Sequence, residues 1–394
     1  MMKSIVLCGA CRTPIGSFSG SLSTVAASEL GALVARNALE RAGASPSDVD
    51  EVIFGNVLSA GQGQNMARQV AMKAGFGVNV GGTTINKVCG SGLKSVMLAA
   101  QAIRCGDADL IVAGGAENMS MAPYLLDKAR SGYRLGHGQL VDSVIRDGLW
   151  DVYHDKHMGM CGDQCAEKYA FTREDQDNYA VRSFQRARKA AEEGVFKNEI
   201  VPVEVKSRKG SVMVEVDEGP AVFNEEKLRS LRAAFGKDGT VTAGNASSIN
   251  DGAAAVVVCS EEVAHAVGLK IQARILGYAT ASIEPEWFTL APIHAVRKLL
   301  DMTGKSVSEV DVFEVNEAFA VVAMAAIKDL ELPEDKVNIL GGAVSLGHPI
   351  GASGARTLVT LLNALNQTNG AIGVDTLCIG GGEAVAMMVE RVVS

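Results

Sequence analysis

The chain repeats itself across its two halves. Ser45-Pro46-Ser47-Asp48-Val49-Asp50, leading to Asn56, resembles Ser306-Val307-Ser308-Glu309-Val310-Asp311, leading to Asn316. Gly81-Gly82 to Cys89 parallels Gly341-Gly342 to His348, each followed by a helix start of small residues, and Gly114-Gly115-Ala116-Glu117 parallels Gly380-Gly381-Gly382-Glu383. Such a repeat constrains the fold more than any single motif, because both copies must take one architecture and bury matching faces. The length of 394 residues also exceeds what one core organises. Two copies of one unit place corresponding loops around a shared pseudo-twofold axis, which brings Cys89, Asn316, His348 and Cys378 into one neighbourhood.

Each copy alternates strand with helix. In the first, residues 4–10, 48–56 and 108–115 read as strands, and 26–42, 65–74 and the stretch from Leu93 as helices. The 43 glycines and 5% aromatic content fit tight strand-to-helix turns and packing through small side chains. The predicted class is therefore α/β, a sheet covered by helices. Residues 120–250 break the pattern with a glycine- and histidine-bearing stretch, an amphipathic helix over 173–194 and a charged strand-like segment over 201–216. They read as an inserted loop domain, after which the apolar run 253–259 returns to the first unit. The expected division is 1–120 with 251–270, then 121–250, then 271–394.

A formal charge of −8 gives no electrostatic reason to bind nucleic acid or an anionic membrane. No stretch approaches a membrane span, and the opening residues 1–7 are too short an apolar run for a signal sequence. Eight cysteines spread over so long a chain do not read as a disulfide framework, so the cytoplasm is the expected location.

Four groups bounded by small residues carry candidate chemistry. Cys89 sits where an extended run meets a helix N-terminus, a position that lowers a thiol pKa through converging N–H groups and the helix dipole. His348, in Gly347-His348-Pro349, can take a thiol proton, and a Cys/His pair suits covalent acyl transfer. A second cysteine, Cys378, could remove a proton from carbon beside a thioester carbonyl. Taken singly, His348 also fits a turn residue, Cys378 a core residue and Asn316 a helix cap; the repeat favours a joint site. Cys161 and Cys165 lie four apart near His157 with no second ligand pair, so they read as packing thiols and no metal site is expected. Gly380-Gly381-Gly382 lacks the dinucleotide fingerprint.

On these motifs the chain resembles the thiolase family, and within it the acetyl-CoA acetyltransferases. Residues 86–92 look like the nucleophile motif, 316–320 the Asn-Glu-Ala-Phe motif, 347–354 the Gly-His-Pro motif and 378–382 the Cys-x-Gly-Gly-Gly motif. The resemblance implies two βαβαβαββ units in a five-layered α-β-α-β-α core with an inserted loop domain. It implies that Cys89 takes the acetyl group from acetyl-CoA with His348 as its activator, and that Cys378 deprotonates a second acetyl-CoA to give acetoacetyl-CoA plus CoA. His348 with a water on Asn316, and the N–H groups of Cys89 and Gly380, would hold the two thioester oxygens.

The same resemblance places Leu149, His157, Met158, Ala243, Ser247, Ala318 and Phe319 against CoA. Lys227, Arg229 and Arg232 are candidate phosphate contacts, an exposed helix face being the alternative. It further implies a homotetramer joined through 131–140, CoA thioesters as substrates and no other cofactor; Gly219-Pro220 shows no sign of a potassium-binding tyrosine. Phe288 replaces a common methionine near the acyl end, which leaves tolerance of a 2-methyl branch open. The competing expectations are a degradative 3-ketoacyl-CoA thiolase, a decarboxylating ketosynthase, against which Cys378 argues, and a catalytically silent CoA- or lipid-binding relative.

Overall fold

A run of apolar or small residues with no wet face forms a strand covered on both sides. The computed structural model, which describes residues 3–208 and 210–393, shows several such strands. Met1 and Met2 of the opening run and Lys209 of the 201–216 segment lie outside the described residues. The main strands are β1 (Ile5–Arg12), β2 (Glu51–Gly55), β3 (Gly81–Ile85), β4 (Leu110–Asn118), β5 (Asn250–Ser260), β6 (Ile271–Ser282), β7 (Val312–Val315), β8 (Ile372–Ile379) and β9 (Glu383–Arg391). Every residue of β1, β4, β5 and β8 is buried.

One hydrogen-bonded sheet contains them all, in the order β7-β8-β9-β6-β1-β5-β4-β2-β3. The repeat is visible outward from the centre. β1-β5-β4 and β6-β9-β8 are antiparallel; the next step, β4 to β2 or β8 to β7, is parallel. β1 and β6 pair antiparallel where the halves meet. Local chemistry repeats too. Asp50 Oδ2 accepts the Asp109 and Leu110 N–H groups at 2.7 and 3.0 Å, and Asp311 Oδ2 accepts those of Ala371 and Ile372 at 2.7 and 3.0 Å. Ser45/Asp48 and Ser306/Glu309 form matching capping boxes.

Strand pairing corrects three of the sequence alignments between halves; with Asp50 matched to Asp311, Glu317 and not Asn316 stands in the place of Asn56. Phe54 faces Gly114 in one half and Val315 faces Thr376 in the other. With Asp50 matched to Asp311, Gly114–Glu117 thus correspond to Thr376–Ile379, so Ala116 mirrors Cys378; the match to residues 380–383 does not hold. Val52 pairs with Gly82 and Phe313 bridges to Val337, so Val337, not a glycine of the 341–342 pair, mirrors Gly82. The glycine pairs share composition, whereas hydrogen bonding sets equivalence.

Eight longer helices complete the layers among the described residues: α1 (Ala27–Ala42), α2 (Met66–Ala74), α3 (Ser91–Cys105), α4 (Met158–Tyr169), α5 (Arg173–Glu192), α6 (Ala291–Thr303), α7 (Ala320–Leu330) and α8 (Ile350–Thr368). α1 and α2 cover the outer face of the first half-sheet, and α6 and α7 that of the second. α3 and α8 pack on each other and touch strands of both halves. The result is the five-layered α-β-α-β-α core, its two β layers being halves of one continuous sheet. Residues 350–365 of α8 are all buried, which is why its sequence is nearly free of charge.

The segment between β4 and β5 is built differently, from small hairpins, α4 and α5. Thr172 and Asp175 form the capping box that starts α5. The 201–216 segment, expected as one strand-like run, folds instead as a hairpin of Val203–Ser207 with Gly210–Val214. β5 then enters the first half between β1 and β4. No described helix is long and apolar enough to cross a membrane.

Candidate active site

The turn after β3 carries Cys89. Val88 is held at φ 46°, a left-handed conformation that a β-branched residue adopts only under constraint. Asn86 Oδ1 accepts the Val88 N–H at 2.9 Å; Ser91 Oγ accepts the Lys87 N–H at 2.8 Å and donates to the Val88 carbonyl at 2.7 Å. This strained elbow presents Cys89 just ahead of Gly90, the N-cap of α3. A Cβ at Gly90 would lie 2.4 Å from Ile379 Cδ1. The missing side chain lets the Cys89 turn press on the end of β8, where Cys378 sits.

The matching turn in the second half carries His348. Gly347 stands at φ 108°, and a Cβ there would lie 2.4 Å from the Asn250 side chain, whose Oδ1 accepts the His348 N–H at 2.9 Å. His348 is buried, with Nδ1 at 2.5 Å from Ser353 Oγ. Ser353 donates its one hydroxyl proton to the Pro349 carbonyl at 2.9 Å. It therefore accepts from Nδ1–H, which leaves Nε2 as the bare, basic nitrogen. Nε2 has no protein partner. Burial, reinforced by the Arg356 guanidinium, pushes His348 down to about 3, so the ring is neutral at pH 7.

Both turns open on a cavity of about 310 Å³. Cys89, His348 and Gly380 line it, together with Leu149, His157, Met158, Ala243, Ser247, Ala318 and Phe319. Cys378 and Asn316 adjoin this wall, two residues before Gly380 and Ala318 respectively, and both are buried. Neither Asn316 Oδ1 nor Nδ2 has a protein partner. Such a pair of open amide atoms in the interior suits a polar ligand group or a held water. A larger cleft of about 820 Å³ runs along α4, but it brings no cysteine or histidine to its wall.

Residues 5–262 match the thiolase N-terminal domain and residues 269–391 the thiolase C-terminal domain. The chain belongs to the thiolase family. It is 52% identical over 392 residues to the acetyl-CoA acetyltransferase of Pseudomonas aeruginosa, covering 99% of this chain and all of that one. It is 53% identical to the acetyl-CoA acetyltransferase of Escherichia coli, with the same coverage. Among solved structures, the Bacillus anthracis acetyl-CoA acetyltransferase superposes with a TM-score of 0.97 at 43% identity, covering 99% of each chain. The Acat5 thiolase from Ascaris suum in complex with coenzyme A gives 0.94 at 44% identity, covering 99% of this chain and 100% of that one.

In this thiolase the acidity expected of Cys89 is reversed. Burial pushes its thiol up to about 11, although the backbone N–H groups of Gly380 and of Cys89 itself reach the sulfur and pull the other way. The helix N-terminus supplies donors, but desolvation of a thiolate outweighs them. Cys378 is raised well above the ordinary thiol range, by burial first and then by the neighbouring Cys89. Both thiols are therefore protonated at rest, and all eight cysteines are free.

Several groups escaped the sequence reading or stand differently from it. Phe235, Gly148, Ser248, Ile249 and Ile350 also line the cavity. Phe235 stacks on His157 at 4.5 Å and meets the Phe319 edge at 6.2 Å, while Phe288 meets Phe319 at 6.3 Å, so an aromatic chain forms one wall. His157 Nδ1 accepts the Gly159 N–H at 3.0 Å and so caps α4. Cys161 and Cys165 are buried in the same apolar cluster as Cys378. Lys227, Arg229 and Arg232 are all exposed, and Arg229 is held by Glu225 at 2.8 Å and Asn178 at 2.9 Å. Among the described residues no group of three or more His, Cys, Asp or Glu side chains could hold a metal ion.

Proposed function

We propose that this thiolase is an acetyl-CoA C-acetyltransferase that reversibly condenses two acetyl-CoA molecules to acetoacetyl-CoA and CoA. The observation that carries the reading is that Cys89, whose sulfur meets the backbone N–H groups of Cys89 and Gly380, and His348, with its bare Nε2, line one apolar cavity. His348 Nε2 takes the Cys89 proton as sulfur attacks the acetyl carbonyl. The carbonyl oxygen gains negative charge in the two N–H groups, and CoA leaves as a thiol with the proton of Cys378, so that Cys378 becomes a thiolate while His348 keeps Nε2–H. Cys378, as thiolate, then removes a methyl proton from a second acetyl-CoA, whose enolate oxygen is held by His348 Nε2–H and a water on Asn316. The resulting carbanion attacks acetyl-Cys89, and the departing Cys89 sulfur takes its proton back from His348 Nε2–H. High thiol pKa values suit this exchange, because a proton passes between two sulfurs and a carbon acid without a permanently charged group.

The same reading places CoA against Leu149, His157, Met158, Ala243, Ser247, Ala318 and Phe319, with Lys227 and Arg232 toward its phosphates. It takes the chain to be a cytoplasmic homotetramer, supported by exposed Leu135 and Leu140 on the 131–140 loop. It also divides the chain at 1–120 with 251–270, 121–250 and 271–394. The test is CoA-dependent loss of 3-ketoacyl-CoA absorbance with acetoacetyl-CoA, its 2-methyl derivative and longer chains, using Cys89→Ala, Cys378→Ala and His348→Ala as controls. Activity confined to short chains and lost in all three variants is expected. Strong turnover of long chains would move the protein to the degradative group, and none at all to a binding role.

A further inference from the structure

We infer that Glu117 is a positioning residue for the reaction, a carboxylate of the first half that caps the N-terminus of α8, the helix that follows the His348 turn of the second. Glu117 is fully buried at the end of β4. Its Oε1 accepts Asn56 Nδ2–H at 2.8 Å and the Leu58 N–H at 3.1 Å. Its Oε2 accepts the Val57 N–H at 2.9 Å and the Gly351 N–H at 2.8 Å. Gly351 is the second residue of α8, so its N–H belongs to the set a helix leaves unpaired at its start. No side chain of α8's own N-cap, Pro349, fills that role. A carboxylate there meets both the free N–H and the positive end of the helix dipole.

The approach is built into the backbone on both sides. A Cβ at Gly115 would lie 2.1 Å from the Gly351 carbonyl, one at Gly55 would lie 2.6 Å from it, and one at Gly351 would lie 2.5 Å from Glu117 Oε2. These three close contacts seat the first turn of α8 against β4 and β2. His348 lies three residues before Gly351, and Ser353, which holds its Nδ1, lies two after. The clasp therefore sits between the two points that fix the ring, and it joins them to the half of the molecule that carries Cys89.

The inference rests on His348 acting as proposed above. Glu117→Gln keeps the shape but turns one acceptor oxygen into an NH2 facing two N–H donors. Because small misplacement of a reacting group is costly, kcat for thiolysis should fall by about tenfold to a hundredfold. KM for acetoacetyl-CoA should stay within about twofold, since the CoA surface is untouched. Amide exchange across residues 350–353 should quicken. A kcat within about twofold of the parent overturns the inference. Asn56→Ala removes one donor of Oε1 and leaves the Gly351 bond, so its kcat should stay within about threefold even where its melting temperature drops. If Asn56→Ala loses as much kcat as Glu117→Gln, general loosening replaces positioning. Should Glu117→Gln not fold, exchange of the Gly351 amide in the unaltered protein decides: protection as strong as in the middle of α8 supports the clasp, and exchange at the rate of a free peptide rejects it. An inactive His348→Ala beside a fully active Glu117→Gln rejects the clasp alone, whereas an active His348→Ala rejects the reading beneath it.

Discussion

Replacing Ser353 by alanine isolates one job in the site, the choice of His348 tautomer. The hydroxyl accepts from Nδ1–H at 2.5 Å and spends its proton on Pro349 O at 2.9 Å, so removing it leaves a buried N–H without an acceptor. That costs about 1–3 kcal/mol. The ring escapes the cost by moving its proton to Nε2 or by turning, and either change removes the free base from Cys89. At 1.4 kcal/mol per factor of ten, kcat/KM for thiolysis should fall about 5- to 150-fold. Ser353 touches neither Cys89 nor the CoA surface, so KM should move little and the loss should fall on formation of the acetyl-enzyme. Rapid-quench measurement of acetyl transfer from acetyl-CoA to Cys89 reads that step directly, and thermal melting reports whether the fold is intact. If Ser353→Ala is folded and acetylates Cys89 within about twofold of the parent rate, the Nδ1 contact does not set the tautomer and the assignment of Nε2 as the base is wrong.

Further outcomes follow from the same geometry. With burial holding Cys89 near 11, its thiolate forms only as pH rises, so the rate of iodoacetamide alkylation should climb about tenfold per pH unit from neutrality upward. A plateau near pH 7 would show that an ion pair with His348 already exists. Cys89 is near enough to raise Cys378, so mild oxidant should link them and dithiothreitol should restore activity; peptide mass spectrometry that never finds the crosslink counts against their contact. Phe288→Ala should open the aromatic wall, raising kcat/KM for six-carbon relative to four-carbon 3-ketoacyl-CoA by about tenfold or more, since each methylene accommodated is worth about 1–3 kcal/mol. The same change should cost about 3–5 kcal/mol of stability, and a melting curve unchanged by it would mean that Phe288 packs against little.

What was legible in the sequence was what is local or repeated. The matching segments Ser45–Asp50 and Ser306–Asp311, whose capping boxes each depend on residues three positions apart, showed two copies of one unit before any pairing was known. The Cys89 elbow was legible because it is written in Asn86, Ser91 and the surrounding glycines. Register was not, because glycines recur for different reasons: Gly90 makes room for Ile379, whereas Gly347 takes φ 108°. Acidity was misjudged for a related cause. The helix N-terminus is a local property and was correctly placed, but the desolvation that lifts Cys89 to about 11 is supplied by residues far apart in the chain, Phe288, Phe319 and Ile350 among those lining the same cavity.

Glu117 left a signal that composition could have flagged, an acid directly after the apolar run Leu110–Ala116. Burying a carboxylate costs several kcal/mol unless donors meet it. An acid there must therefore collect N–H groups from other segments. Glu317 follows the same rule in the second half, accepting from Tyr179 at 2.9 Å, Ser183 at 2.8 Å, Asn338 at 2.8 Å and the Val344 N–H at 3.1 Å. By strand pairing Glu317 occupies the place of Asn56, the partner of Glu117, so each half carries a buried carboxylate here that gathers donors, from a different strand. The duplicated fold has thus kept the device and moved its carrier. In the proposed reaction that divergence accompanies a second one, in which one turn presents the nucleophile Cys89 and its counterpart the base His348.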